Sequence, residues 1–170
     1  MSDDSVREHL LWQLKGGMAH APLSAVVADF PMDQINAKYP GGEYGAWALL
    51  EHIRRGQWDI LDFIRNPDYK EQRWPEDYWP DRDYVATEKD WQETLAAYEA
   101  DLVALQEMVA DPQTDLYARI PHGDGQTIMR EVLLVVDHTA YHTGEFAIMR
   151  QVMSNWGASH ASTPALQVKS

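Results

Sequence analysis

The chain contains no cysteine among its 170 residues. That excludes disulfides, thiolate metal ligands and a cysteine nucleophile. It also lacks any apolar run approaching the roughly 18 residues needed to span a bilayer. Basic residues are scarce: 14 Lys and Arg stand against 27 Asp and Glu, for a net charge of −13. Arg54-Arg55 is the one basic pair, so no face is expected to neutralise phosphates. Nucleic-acid binding and attachment to an anionic membrane are therefore not expected. The start, M-S-D-D-S-V-R-E, is acidic and lacks the basic, then apolar, pattern of a secretory signal. A cytoplasmic location is the default expectation. With 45% hydrophobic and 24% charged residues, the remaining composition is that of an ordinary globular chain with a real core.

Strand signals are also missing, and the periodicity is helical. A first helix is expected over about Ser5 to Lys15, stopped by Gly16-Gly17. Pro22 can start a short helix through Ala28. The next helix runs from about Tyr44 to Arg65, with Trp47, Leu50, Trp58, Leu61 and Ile64 as apolar positions, and Asn66-Pro67 stops it. Thr87, with Asp90 three residues on, reads as an N-cap. Behind it Trp91, Leu95, Tyr98, Leu102, Leu105 and Val109 alternate steps of four and three. They define an amphipathic helix over Glu88 to Ala110, ended by Asp111-Pro112. The last helix is expected over Thr127 to Asn155. Residues 157–170, small and polar, read as a flexible tail. The fold expected is an all-α four-helix bundle with a short extra helix, forming one domain over residues 1–156. Residues 68–86 make a long connection with two Trp, three Tyr and two Pro. A connection of that length and aromatic content either packs on the body, serves an interface or walls a site, through Trp74, Tyr78 and Trp79.

The chemistry concentrates in V-V-D-H-T-A-Y-H-T-G-E-F, residues 135–146. His138 and His142 stand four apart on one helix face. Val135, His138, His142, Glu145 and Met149 follow the three-four spacing of a buried seam. Polar groups on such a seam need partners, because an unpaired one costs about 1–3 kcal/mol. One metal ion would satisfy both imidazoles; hydrogen bonds to neighbours or water are the alternative. His52 sits mid-helix among apolar residues, on the face it shares with Asp59. Taken alone, it reads as a core histidine. His9 and His160 read as solvated, and His20 and His122 as structural or exposed.

A-W-A-L-L-E-H-I (46–53), followed by G-D-G-Q-T-I-M-R-E-V-L-L-V-V-D-H-T-A-Y-H-T-G-E-F (123–146), resembles the DinB-like superfamily of metal-dependent enzymes, which includes the YfiT-type proteins. The resemblance extends over about residues 5 to 156. It implies a metal site made by His52, His138 and His142, taking a divalent ion such as zinc or nickel. It also implies a small-molecule substrate and a homodimer. Among the activities it implies are a thiol-dependent S-transferase, with a low-molecular-weight thiol as cosubstrate, and a metal-hydroxide hydrolase. The alternative is a non-catalytic, stress-related bundle with a degenerate site. Where relatives often carry H-x-G-Q, this chain has H-T-G-E. Glu145 is thereby a candidate catalytic residue: it could orient a ligand, act as a base, or add a fourth ligand.

Overall fold

The computed structural model describes residues 3–156. The expected tail, with His160, lies outside the described residues. Five α-helices follow in order: α1 Asp3–Lys15, α2 Leu23–Val27, α3 Ala46–Arg65, α4 Glu88–Ala110 and α5 Ile128–Val152. A 3-10 turn at Met32–Gln34 was not anticipated. Among the described residues there are two isolated β-bridges and no strand. No helix there is long and apolar enough to cross a membrane. The fold is the all-α bundle that the periodicity implied.

Local chemistry sets the helix ends. Thr87 caps α4 with a full capping box: its hydroxyl accepts from the Asp90 N–H at 3.2 Å, and the Asp90 carboxylate accepts from the Thr87 N–H at 2.7 Å. Thr127 caps α5 by accepting from the Arg130 N–H. Two buried arginines tie distant elements. Arg7 donates to the carbonyls of Val109, Asp111 and Thr114, closing the end of α4. Arg150 donates to those of Val26, Ala28, Asp29 and Asn155, closing the end of α2. Each guanidinium satisfies carbonyls that a helix terminus leaves without a partner.

The core falls into two layers along the bundle. One holds Leu49, Leu50 and Ile53 of α3 with Trp91 and Tyr98 of α4 and Phe146 and Met149 of α5. The other holds Ile60 and Leu61 with Leu105 and Val109, Val132 and Val135, and Leu10 and Leu14 of α1. The start of α3 thus lies level with the start of α4 and the end of α5. Helices α3 and α4 run parallel, and α5 runs antiparallel to both. A parallel neighbour requires the chain to return the length of α3, whose 20 residues span roughly 30 Å. That is why residues 66–87 form a long crossover rather than a tight turn. One expected core position is not in the core: Trp58 is 40% exposed. At 3.6 residues per turn it lies off the line joining Leu50 and Leu61, and it reaches the outer face.

Candidate metal centre

His52 enters from α3 and His138 and His142 from α5, facing it. The antiparallel register puts the middle of α5 level with the first half of α3. The three imidazoles meet. The Nε2 atom of His52 is 3.1 Å from that of His138 and 3.2 Å from that of His142. One ligand atom from each ring lies within 4.8 Å of the others, a cluster that could hold a metal ion. His52 and His142 are buried, and His138 is half-buried.

The outer nitrogens fix which ring atoms carry hydrogen. The Tyr78 carbonyl lies 3.1 Å from His52 Nδ1. A carbonyl only accepts, so Nδ1 carries the hydrogen and Nε2 presents a lone pair. Glu145 Oε2 lies 2.9 Å from His142 Nδ1, which imposes the same tautomer there. Two lone pairs therefore face each other between His52 and His142, and no hydrogen bond can join them. His138 Nε2–H can donate to His52 Nε2, which leaves the His142 lone pair unmet. A cation among the three nitrogens resolves this, and neutral imidazoles held by outer acceptors are the usual donor set for one. The residues fit a divalent metal.

Electrostatics agree with that fit. Burial holds His52 and His138 down at about 4, with the neighbouring imidazoles adding to the effect, so both rings are neutral at pH 7. Burial pushes the Glu145 carboxyl up, but the bonds from His142 and Tyr44 outweigh it and keep it below its ordinary range. Its other oxygen accepts from the Tyr44 hydroxyl in a short bond, with the Tyr39 hydroxyl 3.4 Å away. Burial and that carboxylate raise both phenols above their usual value. The Glu145 carboxylate is thus occupied on both oxygens, on the outer side of the His142 ring.

The crossover closes over His52. Trp79 stacks on the imidazole with ring centres 4.0 Å apart and planes within 5°, and Tyr44 packs on Trp79 at 4.6 Å. Trp74 reaches the same imidazole edge-on at 6.2 Å while remaining largely exposed. A cavity of about 820 Å³ opens beside Tyr44, Trp47, Trp79 and Tyr84, bordered by Lys38 and Arg82, with none of the three histidines in its lining. A separate cavity of about 630 Å³ lies past the end of α1, against Thr139 and Thr143 on a neighbouring face of α5, and it too reaches none of the three histidines.

Among the described residues, the other histidines stay apart from the centre. His20 bonds the carbonyl of Ala21, His122 bonds that of Phe63, and His9 is exposed against Trp12. Sequence reasoning passed over Tyr44 and Gly56. A Cβ at position 56 would stand 2.9 Å from His138 Cε1, so the glycine makes room for that ring. A glycine inside a helix, one turn beyond His52, was the available signal, since it costs about 1 kcal/mol against alanine. Tyr44 carried no such signal, because its partner is far away in sequence.

Residues 18–146 match the family model described as DinB superfamily. No curated protein and no solved structure matches the chain.

Proposed function

The chain belongs to the DinB superfamily, and on that premise we propose that it is a metal-dependent enzyme whose ion is held by His52, His138 and His142. The observation that carries this reading is the meeting of the His52 and His142 Nε2 lone pairs, each fixed by an acceptor on the far side of its ring. An all-imidazole donor set suits zinc or nickel. Three protein ligands leave room for an exogenous one, the mark of a catalytic rather than a structural site. The ion would supply Lewis acidity and activate a thiol or water nucleophile.

The chain's own residues then have distinct tasks. Glu145 orients His142, because both its oxygens are engaged and neither faces the three Nε2 atoms. Tyr44 and Tyr39 hold that carboxylate in place. Trp79 and Tyr44 shield the His52 side from water, and the cavity of about 820 Å³ borders these two rings without touching any of the three histidines. Thiol-dependent S-transfer is the favoured reaction and metal-assisted hydrolysis the nearest variant. Leu133, Tyr141, Ile148 and Val152 remain exposed along α5, which supports a homodimer.

The test is cobalt(II) substitution of chelated protein, followed by addition of a low-molecular-weight thiol. The reading expects visible ligand-field bands that change when the thiol is added, and thiol transfer to an electrophile by the zinc or nickel form. A protein that takes up no ion would leave a non-catalytic bundle as the better account.

A further inference from the structure

His52, Arg55 and Asp59 occupy successive turns of one face of α3, and all three hold the same short piece of the crossover. His52 Nδ1 meets the carbonyl of Tyr78 at 3.1 Å. Arg55 Nη1 donates to the carbonyls on either side, at 3.2 Å to Asp77 and 2.9 Å to Trp79. Asp59 accepts from the Tyr78 hydroxyl at 2.6 Å and from the Tyr69 hydroxyl at 2.9 Å. Asp59 is buried, and its carboxylate is two turns from His52, so it does not itself belong to the centre.

The consequence follows from what a carbonyl can do. The Tyr78 carbonyl selects the His52 tautomer with hydrogen on Nδ1. In water, imidazole side chains favour hydrogen on Nε2, and that form would point a hydrogen at the other two rings. The selection works only while residue 78 is held in register over the ring. A crossover can shift along a helix by small backbone rotations, and the side-chain grip of Asp59 resists this at the same residue whose carbonyl matters.

We propose that Asp59 is a positioning residue for the metal centre: by holding the Tyr78 hydroxyl, it keeps the Tyr78 carbonyl on His52 Nδ1 and so keeps the His52 Nε2 lone pair turned toward His138 and His142. Arg55 holds the flanking carbonyls and sets the direction of the same peptide units. Tyr69 shares the carboxylate but offers nothing to His52, so it serves as an internal control. The inference rests on the three-histidine reading for its purpose but not for its test.

The test is the tautomer of His52 in metal-free protein, read from long-range proton–nitrogen correlations of its ring, with cobalt(II) affinity measured in parallel. Wild type is expected as the Nδ1–H form. Tyr78→Phe and Asp59→Ala are expected to shift His52 toward the Nε2–H form and to weaken cobalt(II) binding about tenfold. Tyr69→Phe is expected to leave the tautomer unchanged and the affinity within about twofold. Tyr78→Phe keeps the ring and the backbone carbonyl, so it reports on the grip even where Asp59→Ala fails to fold. Persistence of the Nδ1–H form in folded Tyr78→Phe overturns the proposal, and so does an equal loss in Tyr69→Phe, which would reveal a general anchor for the crossover. If wild type binds no cobalt(II), the enzyme reading falls, and the tautomer comparison still decides this one.

Discussion

His52 and His142 face each other through Nε2 atoms 3.2 Å apart, and each ring has its Nδ1 hydrogen committed elsewhere, to the Tyr78 carbonyl and to the Glu145 carboxylate. Neither nitrogen of the facing pair can donate to the other. The arrangement is costly for a packed core and natural for a ligand set.

Replacing His142 with Ala should abolish tight metal binding, because two imidazoles make a poor site. The bundle should persist, since Val135, Met149, Trp91 and Leu105 are buried independently of any ion. The stability cost should be about 1–3 kcal/mol, set by polar groups left without partners. Thermal melts of wild type, with and without chelator, beside the variant check this. Unfolding of wild type by chelator at room temperature would make the metal structural.

Glu145→Gln should weaken metal binding about 10- to 100-fold while leaving the melt nearly unchanged. The amide still accepts from His142 through its oxygen but carries no charge to strengthen the ring as a donor. Competition against a coloured chelator measures the affinity. Unaltered affinity would remove Glu145 from any role at His142.

Gly56→Ala should separate stability from binding. Alanine favours the helix by about 1 kcal/mol, yet its Cβ would meet His138 Cε1 at 2.9 Å and displace that ring. Metal-free variant should melt at or above wild type, while its affinity for the ion falls about tenfold. A variant that binds as tightly as wild type would show that His138 has freedom to spare.

Acidification should destabilise the metal-free protein through His52 and His138. Burial holds both at about 4, against 6.5 for a free ring. Between these values the unfolded chain binds protons that the folded one refuses, so stability is full above about pH 6.5 and is lost as pH falls toward 4. Melting curves across that range should show the fall, and His138→Asn should show a smaller one. Equal slopes in the two proteins would contradict the assignment.

Much of this was legible before the fold was known, and for physical reasons. Helix α4 was placed at Glu88–Ala110, its observed span, because the Thr87 capping box and Asp111-Pro112 are local signals. The facing of His138 and His142 followed from helical periodicity, and the family motif added His52. Periodicity reports a face, not a partner. It could not reveal that Tyr44 grips Glu145, that the Tyr78 carbonyl holds His52, or that Arg7 and Arg150 close distant helix ends. Each of those contacts joins residues far apart in the chain, and the one to His52 is made by the crossover that the parallel run of α3 and α4 requires. Trp58 shows the opposite failure: an apolar residue near the seam that the helix turns outward.

The most direct test of the central claim is calorimetric titration of chelated protein with zinc, for wild type and for the single His52→Ala, His138→Ala and His142→Ala variants. The account predicts one ion per chain for wild type and loss of tight binding in each variant, with all four proteins folded. No binding by wild type, or a variant that retains full affinity and stoichiometry, would contradict it.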